Sequence, residues 1–102
     1  LLTHRSGLTY GFLDNGPVGN AYRSGGVADG LGLVEGTLEQ NIERLARVPL
    51  VSQPGAEWHY SLSTDVLGRV VEVASGMPLD RFLSERLFTP LGMRETSFEM
   101  SP

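Results

Sequence analysis

Serine, histidine and acidic residues are the raw material of a nucleophilic triad, and this sequence contains all three, but not in the spacing that such a site needs. The strand-turn-helix nucleophile motif Gly-x-Ser-x-Gly does not occur: Ser6 precedes Gly7 but follows Arg5, and Ser24 precedes Gly25-Gly26 but follows Arg23. A self-contained Ser-His-Asp site is therefore not expected. His4 and His59 are the only histidines, and neither sits in His-Glu-x-x-His, so they read as hydrogen-bonding loop residues and no metal site is expected. Gly30-Leu31-Gly32-Leu33-Val34-Glu35-Gly36 precedes a helix as a nucleotide loop would, but misses Gly-x-Gly-x-x-Gly by one residue and follows no strand pattern; it reads as a glycine loop. Glu39 and Glu43 fall on the polar side of a helix and read as solvated charge. Trp58 and Tyr60 flank His59 just ahead of Ser61 and Ser63. Pattern alone reads that cluster as aromatic residues anchoring a helix start.

Composition narrows the chemistry further. The chain has 102 residues, 40% of them hydrophobic and 20% charged, which suits one small globular domain or a piece of a larger one. A net charge of −4 and a pI near 5.0 argue against an electrostatic nucleic-acid partner. Cysteine is absent, so disulfides, thiol nucleophiles and Cys-ligated zinc are excluded within these residues. All 8 basic residues are Arg. The lack of Lys excludes a Walker-A lysine, a Schiff-base lysine and a Ser-x-x-Lys nucleophile within the sequence. No apolar run approaches the roughly 18 residues of a membrane span. The sequence begins at Leu1-Leu2-Thr3-His4, without Met or a signal-peptide pattern, and is expected to be cut from a longer protein; its compartment is not readable.

Three helices are expected to position whatever site exists. Residues 1 to 36 contain most of the 13 glycines and read as ordered loops with one short helix at most, including a turn at Asp14-Asn15-Gly16-Pro17. Thr37-Leu38-Glu39-Gln40 has the capping-box form and opens a helix over 37–48, with Leu38, Ile42, Leu45 and Ala46 as its apolar stripe and Pro49 as its stop. Glu57 to Tyr60 is expected to be extended. A second helix spans 63–75, started by Ser61 or Ser63 and ended by Gly76; mid-helix Gly68 implies close packing. A third, opened by Pro78 and ended by Pro90, spans 79–88; Pro90-Leu91-Gly92-Met93 reads as a tight turn, and Thr96 to Met100 as extended. The expected class is mainly α.

Three stretches together resemble one family. Leu1-Leu2-Thr3-His4-Arg5-Ser6-Gly7-Leu8 is similar to Leu-Leu-x-His-x-Ser-Gly-Leu. Pro54-Gly55-Ala56-Glu57-Trp58-His59-Tyr60-Ser61 is similar to a Pro-Gly, aromatic, Tyr-Ser-Asn stretch. Phe88-Thr89-Pro90-Leu91-Gly92-Met93-Arg94-Glu95-Thr96 is similar to Pro-Leu-Gly-Met-x-x-Thr. In this order the chain resembles the serine β-lactamase-like hydrolases, which include class C β-lactamases, D-alanyl-D-alanine carboxypeptidases and family VIII carboxylesterases.

The resemblance implies that residues 1–102 are a single fragment of the helical region of an α/β plus α two-domain protein. It implies a serine that attacks an ester or amide carbonyl to form an acyl-enzyme, with no cofactor. The nucleophile's Ser-x-x-Lys element belongs upstream of Leu1 in that family, and a late strand motif framing the oxyanion site belongs downstream. Tyr60 matches the tyrosine that relays the serine's proton. A free phenol ionises near pH 10, so acting as a base near pH 7 requires a depression of about 3 pH units, roughly 4 kcal/mol of preferential phenolate stabilisation. The alternative is a protonated Tyr60 that passes a proton between serine and lysine; the sequence leaves both open.

Leu62 stands where the family often has an Asn that bonds the acyl-side amide of a β-lactam or peptide. That departure favours an esterase parent over a β-lactamase or carboxypeptidase. Trp58 and Leu62 are the candidate substrate-binding residues. His4 and Gly7 fall on a stretch that shapes a loop. A non-catalytic binding or scaffold module of the same fold is the alternative from another class. These residues alone are expected to be inactive, and the isolated piece to self-associate through apolar faces.

Overall fold

The computed structural model describes residues 1–32 and 35–99. Among them are four α-helices and no strand: α1 Pro17–Ser24, α2 Leu38–Leu45, α3 Ser63–Ser75 and α4 Leu79–Leu83, the last continuing as a π-helix over Ser84–Phe88. Among the described residues no helix is long and apolar enough to cross a membrane. The chain divides into two compact units, Leu1–Leu67 and Gly68–Pro102, with the division inside α3.

In the first unit, residues 14–17 do not form the isolated turn expected of them; they lead into α1. Pro17 takes the first helical position, where its missing N–H costs nothing. The Asp14 carboxylate accepts from the amides of Gly16 and Gly19, both at 2.8 Å, and so supplies the N-terminal cap from two residues upstream. A Cβ on Gly19 would lie 1.8 Å from the Asp14 carbonyl oxygen, so only glycine fits. The C-terminus closes as a Schellman motif: Gly26 takes φ +67°, its amide donates to Arg23 O, and the Val27 amide donates to Tyr22 O at 3.0 Å.

Helix α2 carries the expected capping box, with Gln40 N donating to Thr37 Oγ1 at 3.2 Å and Thr37 N donating to Gln40 Oε1 at 3.0 Å. It ends at Leu45 rather than Val48. The Arg47 and Val48 amides bond carbonyls three residues back, Arg44 O and Leu45 O, so the last turn tightens ahead of Pro49. Asn41, buried in α2, bonds both backbone groups of Ala28: Oδ1 accepts from its amide at 2.7 Å, and Nδ2 donates to its carbonyl at 2.9 Å. One side chain thereby satisfies a loop that has no strand partner. In the glycine loop, Leu33 and Val34 lie outside the described residues.

Leu8, Tyr22, Leu45 and Leu62 form the buried core of this unit, with Tyr10, Val18, Val27, Ile42, Val48 and Val66 packed around them. The N-terminal loop is tied to the segment before α3 by a seam of backbone hydrogen bonds. Val51 N donates to Gly7 O at 2.9 Å, Gly55 N to Arg5 O at 2.7 Å, and His59 N to His4 O at 2.9 Å. Gly7 is required at the tightest point: its φ is +83°, and a Cβ there would lie 2.2 Å from the Ser52 carbonyl oxygen.

In the second unit, the α3 C-terminus ends at Gly76 as expected, with φ +69° and its amide donating to Glu72 O at 2.9 Å. The Glu72 carboxylate accepts from the Leu79 amide at 2.9 Å, anchoring the start of α4. Pro78 is the cap of α4 rather than its first helical residue. The expected helix over 79–88 is present in extent but changes register, since Thr89 N donates to Ser84 O, five residues back. The turn around Gly92 is present, with φ +68° and Met93 N donating to Phe88 O at 2.8 Å. Thr96–Glu99 contains no strand and bends at Phe98; Met100 lies outside the described residues. Val70, Val73, Leu87, Leu91 and Phe98 are exposed.

Replacing Gly7 with Ala is expected to destabilise the protein by about 2–4 kcal/mol, from strain at positive φ and collision with a backbone carbonyl. Chemical denaturation measures this; an unchanged midpoint would contradict the seam as described.

Candidate functional site

The aromatic residues of Trp58-His59-Tyr60 are displayed by a segment, 57–61, that is neither helix nor turn and that the seam holds against the N-terminal loop. Trp58 and Tyr60, two residues apart, are both exposed, at 59% and 52%. Their rings belong to a run of neighbouring rings. His4 lies 6.0 Å from Trp58 and 5.0 Å from Tyr60, Tyr10 lies 5.2 Å from Tyr60, and Phe12 stacks on Tyr10 at 5.0 Å. Large aromatic surfaces left open are unusual outside binding sites. Of these rings, Trp58 and Tyr60 line an open cavity of about 490 Å3, together with Thr9, Leu13, Asp14, Val18, Val51 and His59. Its size suits a small organic ligand, and Leu13, Val18, Val51 and Trp58 give it an apolar wall.

The Tyr60 phenol has a second phenol as partner. Burial pushes the Tyr10 hydroxyl up to about 12, helped by the Asp65 carboxylate and by the hydrogen bond with Tyr60. Tyr10 therefore holds its proton through the neutral range and can donate it to the Tyr60 oxygen. Burial also pushes the Asp65 carboxyl up, partly offset by a hydrogen bond from its own backbone amide.

His4 occupies an unusual backbone position, with φ +52°, the only non-glycine residue described in the left-handed region. Strain there is about 1–3 kcal/mol and persists only where surrounding contacts enforce it. Those contacts are plain: His4 O accepts from His59 N at 2.9 Å, and His4 Nδ1 accepts from Ser61 N at 3.3 Å. Behind this, Ser61 and Ser63 are fully buried, and their hydroxyls continue into a chain. Ser61 Oγ lies 3.4 Å from His4 Nδ1 and 2.6 Å from Ser63 Oγ, which lies 2.7 Å from Ser6 Oγ. These hydroxyls are satisfied by one another and are not presented as nucleophiles. Ser61 Oγ also accepts from the Ser63 amide at 3.2 Å, which fixes the first residue of α3.

Of the residues singled out from the sequence, Trp58 and Tyr60 share the cavity, and His4 stands directly behind them. Leu62, expected among the substrate-binding residues, is instead 1% exposed in the hydrophobic core. Its neighbours Ser61 and Ser63 are buried with it, so this stretch turns inward at the start of α3. His59 also lines the cavity, with its Nε2 2.9 Å from Glu57 Oε2. Among the described residues no three His, Cys, Asp or Glu side chains come together as a metal site. Tyr10, Asp14 and Thr9 were not legible as site residues. They lie in a glycine-rich stretch without periodicity, and the one available signal was that Tyr10 follows the Ser6-Gly7-Leu8 motif by two residues.

Comparison with known proteins identifies the family. Residues 1–102 match the family model described as Beta-lactamase. Esterase EstB of Burkholderia gladioli is 46% identical over 98 residues, covering 96% of this chain and 24% of that protein. Monacolin J acid methylbutanoyltransferase of Aspergillus terreus is 35% identical over 100 residues, covering 98% of this chain and 22% of that protein. The solved structure of EstCE1, a hydrolase with promiscuous acyltransferase activity, matches with a TM-score of 0.86 at 41% identity, over 97% of this chain and 26% of that one. The chain spans about a quarter of the length of these relatives. With a family match over every residue and relatives that are esterases and acyltransferases, the chain belongs to the β-lactamase family.

Proposed function

We propose that this chain is the central helical part of a serine hydrolase that cleaves carboxylic esters through an acyl-enzyme, with Tyr60 as its proton relay. The observation that carries the reading is the exposed Tyr60 phenol on the wall of a largely apolar cavity, with the Tyr10 ring 5.2 Å from its own. The nucleophilic serine and its lysine lie outside these residues, as does the second, α/β domain, and residues 1–102 alone are inactive. Relatives about four times as long support this, as do the exposed apolar residues of the second unit, which also favour self-association of the isolated chain.

In the cycle, the serine hydroxyl attacks the ester carbonyl while its proton passes to the Tyr60 oxygen, which either starts as phenolate or hands its own proton to the neutral lysine amine as it accepts. A proton returns by the same route to the departing alkoxide, leaving the acyl group on serine; water completes the turnover by the reverse relay. Tyr10, which keeps its proton, is the phenol beside Tyr60, their rings 5.2 Å apart. Trp58, with Leu13, Val18 and Val51, offers apolar surface to the ester's hydrocarbon. The esterase and acyltransferase relatives favour esters over β-lactams.

Three outcomes are expected in the full-length protein. Tyr60→Phe lowers kcat for p-nitrophenyl butyrate by about 10²–10⁴-fold with circular dichroism unchanged; retention of activity within about threefold would contradict the relay. The wild-type enzyme shows kcat/KM for p-nitrophenyl butyrate at least about 100-fold above that for nitrocefin, and comparable values would overturn the ester preference. In alkaline titration at 295 nm, the tyrosine absent from Tyr10→Phe ionises near pH 12. Because its folded value lies above the free phenol's value near 10, its contribution to stability is complete below about pH 10 and lost as pH rises toward 12. An ordinary midpoint near 10 would contradict the burial of the Tyr10 hydroxyl beside Asp65 and Tyr60.

A further inference from the structure

We infer that His4 is a positioning residue for Tyr60, which it holds by gripping the backbone on both sides of that residue. The inference rests on the reading of Tyr60 as the proton relay. The preceding residue, His59, donates its amide to the His4 carbonyl at 2.9 Å, and the following residue, Ser61, donates its amide to His4 Nδ1 at 3.3 Å. One residue can meet both amides because φ +52° brings its carbonyl and its ring to the same edge of the segment. The ring then packs on the Tyr60 ring at 5.0 Å, so the same side chain limits both the backbone and the phenol it carries. Tyr60 is otherwise half exposed and at the end of a segment with no helix or strand to fix it.

The grip has a definite protonation pattern. A backbone amide can only donate, so Nδ1 must accept, and the imidazole proton sits on Nε2. The serine hydroxyls continue from the ring: Ser61 Oγ lies 3.4 Å from Nδ1 and 2.6 Å from Ser63 Oγ, Ser63 Oγ lies 2.7 Å from Ser6 Oγ, and Ser6 Oγ accepts from Leu8 N at 3.2 Å. This chain ties α3 and the N-terminal loop to the ring that orients Tyr60. A displacement of the phenol by even an ångström degrades proton transfer without any change in substrate affinity.

The test uses the full-length enzyme with p-nitrophenyl butyrate. Asn places its Oδ1 near the position of imidazole Nδ1 and tolerates positive φ, whereas Gln places its oxygen near Nε2. The expected result is that His4→Asn retains kcat within about fivefold, while His4→Gln and His4→Ala lose about 10- to 100-fold in kcat with KM within about threefold of wild type. Wild-type kcat in His4→Gln and His4→Ala would overturn the inference. So would an Asn variant as poor as the Ala variant, or a rise in KM at constant kcat, which would make His4 a substrate contact. Nitrogen-15 NMR of histidine-labelled wild-type enzyme reads the tautomer with no variant to fold: the Nε2–H form of His4 is expected, and an Nδ1–H form overturns the inference. Tyr60→Phe run in parallel separates the two readings. If it stays active the relay itself fails; if it is inactive while His4→Ala is not, only the positioning role fails.

Discussion

The arrangement of the first unit depends on a seam between two segments roughly fifty residues apart in sequence, neither of which is regular secondary structure. Three backbone hydrogen bonds link residues 4–7 to residues 51–59, and Gly7 permits their closest approach because no side chain fits against the Ser52 carbonyl. Buried backbone groups must find partners, and in a loop-rich chain they find them here in place of a sheet. Without the seam, Trp58 and Tyr60 would sit on an unsupported loop. With it, their rings line a cavity beside Tyr10.

Much of the scaffold was readable from residue types. The capping box at Thr37 and Gln40, the glycine stop at Gly76 and the 63–75 bounds of α3 follow from local rules that act within one or two turns. The short helix α1 was harder, because its start is capped by Asp14 from outside the usual cap position and its Pro-Gly surroundings read as a turn. The tightened end of α2 and the π register after α4 are shifts of hydrogen-bond partner that leave no mark on apolar spacing.

The candidate site divides in the same way. Tyr60 and Trp58 were identifiable through one matching stretch, and His4 and Gly7 through another. What no motif carried was the meeting of these residues with Tyr10, since that depends on non-local closure of the chain. Leu62 shows the limit of matching a family position: its side chain lies in the core, between two buried serines.

The proposed relay requires that a serine from outside these residues meet the Tyr60 oxygen. A crystal structure of the full-length protein after reaction with an alkyl phosphonate ester tests this. One modified serine is expected, part of a Ser-x-x-Lys turn, with its Oγ within about 3 Å of the Tyr60 oxygen. A modified residue remote from Tyr60, or a full-length protein that no phosphonate modifies, would contradict it.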